Sequence, residues 1–216
     1  MSNLLLSSRA NFTKHDVLTL AQYSLLRPAI FEQMMAIKRR RRIAVGQDAT
    51  VVFENRAIVW FHLHERLRAD KVTDSERRAA IMAEHRALLP APGELRASLL
   101  IDGDDLDRGA ALAKQLAGPF SPVSLRIGGT RVRGDVLDPM PNAVHYLRFD
   151  VRAAVHEIFD PNCQFTLCLA YGTMATRIGL SPQTRRELIC DLGLNVHHPE
   201  QSQLDWHYGR TLERPM

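Results

Sequence analysis

Residues 123–136, "VSLRIGGTRVRGDV", are the stretch that decides the fold class of this 216-residue chain. Apolar residues alternate with polar ones on both sides of Gly128 and Gly129, and this period of two is typical of β-strands. Two consecutive glycines supply the positive φ angles that a two-residue hairpin turn requires. The stretch therefore predicts a β-hairpin.

Further strands are predicted on both sides of this hairpin. They cover residues 95–101, 144–149, 164–171 and 173–178. Residues 43–53 are strand-like around a central turn and predict a second hairpin. We therefore expect a mainly antiparallel sheet that comes chiefly from residues 94–178.

Helical patterns fill most of the first half of the chain. Pro28 suits the first turn of one helix, and Asn55 suits the N-cap of another that ends near Ala69. A last helix is expected to end at Leu192. The fold class is thus α+β, with N-terminal helices packed on the sheet in a single domain over residues 1–192. Residues 193–216 are polar and aperiodic, which predicts an extended or disordered tail.

Charge and hydropathy limit the classes of function. Hydrophobic residues make up 45% of the chain, which is enough for one substantial core. No apolar run approaches the roughly 20 residues needed to span a bilayer, and no secretory signal is present, so we expect a cytoplasmic protein. The formal net charge is +4, and five consecutive cations at residues 38–42 exceed it. Any preference for anions is therefore local.

The basic run consists of Lys38, Arg39, Arg40, Arg41 and Arg42. Five successive residues on a helix point to all sides, so they cannot form one flat basic face. One interpretation is a helix-to-strand junction in which some guanidinium groups pair with carboxylates such as those of Glu54 or Glu65. The alternative, which is less favoured, is binding of nucleic acid or a phosphate ligand.

A second set of candidate residues could bind metal. His62 and Glu65 are three residues apart and therefore neighbours on one helical face, and His85 would lie near them if two helices pair. Imidazole and carboxylate groups suit zinc or iron, so an unrecognised metalloenzyme is one hypothesis. The alternative is that all three are ordinary surface groups. The sequence contains no P-loop, dinucleotide-binding fingerprint or nucleophile elbow.

His145 is a candidate of another kind. In a strand it shares a face with Leu147 and Phe149, which predicts burial. A core histidine with satisfied hydrogen bonds and a functional imidazole with a shifted pKa are both open at this point.

Five segments together resemble a known family. They are "KRRRRIAVG" at 38–46, "VFEN" at 52–55, "HERLRAD" at 64–70, "GELRASLL" at 93–100 and "AVHYLRF" at 143–149. In this order they resemble the uncharacterised bacterial family known as domain of unknown function 3501, over essentially the whole predicted domain. Family residues map onto Arg40, Arg41, Glu54, Glu65 and His145.

This resemblance implies a function by association. Members are often encoded beside rubrerythrin-like and iron–sulfur proteins, which implies an accessory protein of redox or peroxide-stress metabolism. A redox or iron protein is the implied partner. We expect the accessory protein to bind a metal, an anion or a partner without obvious catalysis. The chain departs from the family where Tyr171, Gly172, Thr173 and Met174 replace a His-Pro-x-Tyr-like element. A role of that histidine in relatives would not carry over here.

Overall fold

The sheet is built as the strand pattern predicts. The computed structural model describes residues 12–46, 49–101, 106–116, 118, 121–137, 144–171 and 174–192. Within them lie eight strands: β1 Arg42–Val45, β2 Ala49–Glu54, β3 Glu94–Ile101, β4 Val123–Ile127, β5 Thr130–Val136, β6 Val144–Asp150, β7 Phe165–Tyr171 and β8 Met174–Gly179. Their order in the sheet is β1-β2-β3-β6-β5-β4-β7-β8, and every neighbouring pair is antiparallel. The predicted α+β class is confirmed, although β1 and β2 come from the first half of the chain.

Helices precede, interrupt and follow the strands. In the described ranges they are α1 Leu20–Arg39, α2 Arg56–Ala69, α3 Ser75–Arg86, α4 Leu106–Leu116, α5 Val155–Ile158 and α6 Pro182–Asp191, with short 3-10 helices at Lys14–Asp16 and Arg152–Ala154. Among the described residues, no helix has the length and apolar character to cross a membrane. The tail expected at residues 193–216 lies outside the part of the chain that the structure describes.

The N-terminal helices confirm the predicted N-cap and correct the predicted start of a helix. The Asn55 side chain accepts a hydrogen bond from the Ile58 N–H at 3.0 Å and caps α2, as predicted. Pro28, by contrast, lies inside α1 and does not begin a helix. Proline removes one N–H donor from the helix interior, but buried residues on both sides of it, Tyr23 and Ile30, hold the two halves of α1 on the same helical core.

The hairpin at residues 123–136 is formed by β4 and β5, and Ile127 pairs with Thr130 across the turn. Gly128 has a φ of +54°, which a side chain would disfavour. The Gly129 N–H and the Thr130 hydroxyl both donate hydrogen bonds to the carboxylate of Glu157 in α5. The turn that the sequence predicts is therefore also held by a tertiary contact.

The sheet curves until its edges, β1 and β8, approach each other, so that it is a nearly closed barrel. The inward-facing residues form the main core, and they include Val51, Phe53, Leu99, Leu125, Leu147, Phe149 and Leu167. A second core lies among α1, α2, α3 and the segment before them, with Phe12, Tyr23, Met34, Trp60 and Leu63 as its large buried members. The protein thus has a barrel and a helical layer.

Helix α6 closes the gap between the barrel edges. Its Leu188 and Ile189 are part of the barrel core, and the Thr184 hydroxyl donates a hydrogen bond to the Arg40 carbonyl at 2.8 Å. The fully buried Arg41 guanidinium donates to the Glu187 carboxylate at 2.8 Å and to both carboxylate oxygens of Asp191. Two carboxylates on one helix therefore compensate the buried cation at the start of β1.

We predict that Arg41→Met lowers the free energy of unfolding by about 3–5 kcal/mol, because it leaves two carboxylates beside an apolar group. The matched control is Arg40→Met. The Arg40 side chain is 41% exposed and pairs with Glu187 at 3.3 Å, so its loss should cost at most about 1 kcal/mol. Urea unfolding of both variants measures the two changes in free energy. Equal changes for Arg41→Met and Arg40→Met would contradict the conclusion that Arg41, and not Arg40, is the buried ion-pair partner of α6.

A second prediction concerns Gly134 in β5. A β-carbon at this position would lie 2.8 Å from Cε1 of Phe149, inside the barrel core. Gly134→Ala should therefore lower the free energy of unfolding by about 1–3 kcal/mol through overpacking. Gly179→Ala in β8 is the control, since a β-carbon there has no neighbour within 4 Å, and it should change stability by less than about 0.5 kcal/mol. A Gly134→Ala variant as stable as the control would show that Phe149 moves aside freely.

Candidate functional site

A cleft of about 1450 Å³ lies between the helical layer and the outer face of the sheet. The strands that face it are β1, β2, β3 and β6, and the helices are α1, α2 and α3. Because side chains alternate along a strand, the residues that point into this cleft are the ones between the barrel-core positions. In β3, for example, Arg96, Ser98 and Leu100 line the cleft, whereas Leu95 and Leu99 belong to the barrel core.

Glu54, the last residue of β2, is the buried acid of the cleft and is only 3% exposed. The Ser98 hydroxyl donates a hydrogen bond to its Oε1. Its Oε2 is buried and has no hydrogen-bond partner among the described residues. Burial raises the pKa of Glu54 to about 7, against the opposing effects of Ser98 and Lys38. The carboxyl group can therefore gain or lose a proton near neutral pH, and one of its oxygens is an acceptor without a hydrogen bond from the described residues.

Lys38 and His62 form a contact beside this acid. The Lys38 Nζ lies 2.8 Å from the His62 Nε2 and 5.2 Å from the centre of the Phe61 ring. Burial lowers the pKa of His62 to about 4, so the ring is neutral and its Nε2 accepts from the lysine ammonium group. Burial also lowers the pKa of Lys38, although Glu54 and Glu65 act in the opposite direction. The amine is therefore easier to deprotonate than a surface lysine.

Three arginines add positive charge to the cleft: Arg39, Arg42 and Arg96. The Arg96 side chain is 12% exposed, and its Nη2 donates to the Glu94 carboxylate at 3.0 Å. Its buried Nε and Nη1 have no hydrogen-bond partner among the described residues. A buried N–H without an acceptor is costly, so these donors favour an oxyanion from outside the chain.

The basic run is divided at the helix-to-strand junction. Lys38, Arg39 and Arg42 line the cleft, whereas Arg40 and Arg41 turn to α6. The ion-pair partners of Arg40 and Arg41 are therefore Glu187 and Asp191 and not Glu54 or Glu65, which the sequence suggested. These acids could not be inferred from the sequence because they are about 150 residues away in the chain.

Glu65 has a different partner. Its carboxylate accepts hydrogen bonds from the Arg27 Nε at 2.8 Å and from the Tyr23 hydroxyl at 2.8 Å. The hydrogen bond from Arg27, the largest effect, lowers the pKa of Glu65 to about 2. Glu65 thus stays ionised and ties α2 to α1.

The proposed metal ligands His62, Glu65 and His85 all line the cleft. Each, however, has a contact within the chain: His62 with Lys38, Glu65 with Arg27, and the His85 Nδ1 with the Ile81 carbonyl at 2.8 Å. Among the described residues, no group of three histidine, cysteine or acidic side chains is arranged to hold a metal ion. Zinc or iron binding by these three residues stays a prediction.

His145 is buried in β6 together with Leu147 and Phe149, as the alternation predicted. Its neighbours along the strand, Val144 and Tyr146, point into the cleft. His145 therefore lies on the barrel side of the sheet, away from the cleft.

Sequence reasoning missed three of the polar groups in the cleft: Arg96, Ser98 and Tyr146. The signal was present in the alternation of β3 and β6, where these residues interleave with apolar ones. Burial and the nearby Glu54 raise the pKa of the Tyr146 hydroxyl, so it stays protonated. What the pattern could not supply is the helical layer that makes this face of the sheet the wall of a cleft.

Comparison with known proteins places the chain in a family. The family described as protein of unknown function (DUF3501) matches residues 11–192. No curated protein matches the sequence. A crystal structure of a novel protein of unknown function from Burkholderia pseudomallei is similar, with a TM-score of 0.73 and 26% identity, over 84% of this chain and 99% of that one. The family match covers most of the sequence, and the chain therefore belongs to the DUF3501 family.

Proposed function

We propose that this protein binds a small anionic organic molecule, a carboxylate or a phosphate, in the cleft between the helical layer and the sheet. The observation that carries the proposal is that the buried Nε and Nη1 of Arg96 donate no hydrogen bond to any described residue. Three more cations, Lys38, Arg39 and Arg42, line the same cleft. Guanidinium groups recognise carboxylate and phosphate oxygens through paired hydrogen bonds, and a lysine adds a point charge.

The rest of the lining favours an organic ligand over a bare inorganic ion. Apolar side chains contribute part of the wall, among them Met35, Val52, Leu100 and Val144. Binding sites for small molecules commonly combine such apolar walls with a few polar groups that fix orientation. The Oε2 of Glu54, which accepts no hydrogen bond from the described residues, supplies one of these polar groups and suits a hydrogen-bond donor or a transferable proton on the ligand.

The alternatives have weaker support. Nucleic-acid binding through residues 38–42 would need a common surface, whereas Arg40 and Arg41 pair with α6. The accessory role in redox or peroxide-stress metabolism and the iron-protein partner come from the family resemblance, and neither the cleft nor the comparisons supports them. Binding of a small anion is the function that the geometry supports best.

Thermal unfolding with four probes tests the proposal: orthophosphate, pyrophosphate, pyruvate and 2-oxoglutarate. A probe that binds should raise the Tm with increasing concentration, by roughly 5–10 °C when its concentration is about 100-fold above Kd. Arg96→Gln should abolish most of this shift, whereas Arg177→Gln, an exposed arginine in β8 that does not line the cleft, should retain it. Equal shifts in both variants, or no shift with any probe, would refute binding at this site.

A further prediction follows from the buried carboxyl group of Glu54. Its pKa is about 7 in the folded protein and close to 4.5 when unfolded, so the folded state holds the proton more tightly. The resulting stability is present below about pH 4.5 and is lost as the pH rises through about 7. Glu54→Gln keeps an acceptor for Ser98 and removes the ionisation, so the variant should gain up to about 3 kcal/mol relative to wild type between pH 5 and 8.

The control for this measurement is Glu32→Gln, because Glu32 is exposed on α1. Urea unfolding across the pH range should give Glu32→Gln curves parallel to those of wild type. If the curves of stability against pH for wild type and Glu54→Gln are parallel, the pKa of Glu54 is not raised in the folded protein. The assignment of Glu54 as the acid with a raised pKa in the cleft would then be wrong.

A further inference from the structure

We propose that the outer face of strands β4, β5, β7 and β8 binds the phosphate backbone of a double-stranded nucleic acid without reading its base sequence. This arginine face lies away from the cleft, whose sheet wall is formed by β1, β2, β3 and β6. The inference does not depend on the anion proposed for the cleft. It rests on the position, exposure and pairing of four arginines: Arg126, Arg131, Arg133 and Arg177.

The antiparallel register brings the four arginines together. Barrel-core residues alternate with outward-facing ones in these strands, so the arginines point away from the core. One row across β5, β4, β7 and β8 has Arg133 at one end and Arg177 at the other, with two uncharged residues between them. In the adjacent row, Arg126 pairs directly with Arg131. All four arginines are exposed.

The pair of Arg126 and Arg131 is unfavourable by itself, since like charges directly opposite each other on antiparallel strands destabilise a sheet. The Arg126 Nε donates to the Gly128 carbonyl at 3.1 Å, and the Arg131 Nε donates to the Ser124 hydroxyl at 3.1 Å. Within the described ranges, no carboxylate forms an ion pair with either guanidinium or with Arg177. A phosphate bound between Arg126 and Arg131 replaces their repulsion with charge-assisted hydrogen bonds.

Acidic groups offset these cations only in part. Asp135 of β5 accepts a hydrogen bond from the Arg133 Nε at 2.6 Å and another from the Arg148 Nη2 at 3.2 Å, so one acid serves two arginines. Glu157 of α5 lies close enough to Arg126 for their charges to attract, but its carboxylate accepts hydrogen bonds from the hairpin turn. The face therefore keeps a net positive charge, which favours a polyanion.

The spacing of the arginines suits a run of phosphates. Neighbouring strands lie about 4.8 Å apart, so Arg133 and Arg177, three strand spacings apart, are separated by about 14 Å. One strand of a duplex carries a phosphate roughly every 3.4 Å along its axis, so this distance covers about four phosphates. Guanidinium groups bind phosphate oxygens through paired hydrogen bonds. The four arginines thus match the charge density of a nucleic-acid backbone.

The uncharged residues of the arginine face favour a duplex over a single strand. Sites for single strands commonly stack bases on aromatic side chains. The outward-facing uncharged residues in the described parts of these strands are small and include no aromatic ring: Ser124, Thr166, Cys168, Ala170, Ala175 and Gly179. Contacts to phosphates alone carry no sequence information. The face therefore fits a duplex of any sequence.

Fluorescence anisotropy with a labelled DNA duplex of random sequence tests the proposal. If all four arginines contact phosphates, the slope of log K against log salt concentration should be near −3.6, and the affinity should fall roughly 100-fold between 50 and 200 mM salt. Replacing both Arg126 and Arg131 with Gln removes two contacts and should bring the slope to about −1.8. The matched control replaces Lys71 and Arg77, two exposed cations of the helical layer, with Gln and should keep the wild-type slope.

Folding of the doubly substituted protein is checked by its Tm, which should not fall below that of wild type because the substitutions remove a like-charged pair. Alkylation by iodoacetamide then locates the duplex. Cys168 lies in the row between Arg133 and Arg177, whereas the exposed Cys190 is on α6. At a duplex concentration about tenfold above Kd, alkylation of Cys168 should slow by roughly tenfold, and that of Cys190 should not change.

Three results would overturn the proposal. The first is no binding of the duplex at 50 mM salt. The second is the same salt slope for wild type and for the variant without Arg126 and Arg131. The third is alkylation of Cys168 at an unchanged rate in the presence of the duplex. Tighter binding of the corresponding single strand would overturn the assignment of a duplex as the ligand.

Discussion

The structure depends on one buried cation. Arg41 stands between the end of α1 and the start of β1, and its guanidinium is enclosed with the carboxylates of Glu187 and Asp191 from α6. Isolated, that charge would be strongly unfavourable in the interior, and two acids on successive turns of one helix compensate it. The same contact brings the apolar side of α6 onto the open seam of the barrel. Lys38 and Arg42, which flank Arg41 in the chain, line the cleft instead.

The cleft holds an acid and an amine, Glu54 and Lys38, whose pKa values are shifted in opposite directions. Burial raises the pKa of the Glu54 carboxyl and lowers that of the Lys38 amine. The mutual attraction of the two charges opposes both shifts, but it is the smaller effect for each group. An acid and an amine that would be fully ionised in water are therefore brought nearer to exchanging a proton around neutrality. Neutral His62 shares a hydrogen bond with the amine and does not compete for that proton.

The sequence predicted most of the helices and strands well, and the tertiary contacts between them poorly. The glycine pair at 128–129, the alternation in β3 and β6, and Asn55 as a cap are local signals, and local geometry enforces them. Pro28 was misassigned because packing on both sides of it overrides its tendency to begin a helix. The ion-pair partners of Arg40 and Arg41 are Glu187 and Asp191, which lie about 150 residues further along the chain and give no local signal. Periodicity identifies which residues share a face, but it does not identify what covers that face.

The contact between Arg41 and Asp191 joins residues 150 positions apart, and this separation has a consequence for the order of folding. The helical core uses residues 12–37 and 57–89, all from the N-terminal part of the chain, so its assembly costs less loop-closure entropy than the contact between Arg41 and Asp191. The contact that closes the barrel can form only after α6, the last helix of the domain, has been synthesised and has reached Arg41. We therefore expect a late, slow kinetic phase in which α6 docks, and a nascent chain on the ribosome would complete it only after residue 191 has emerged.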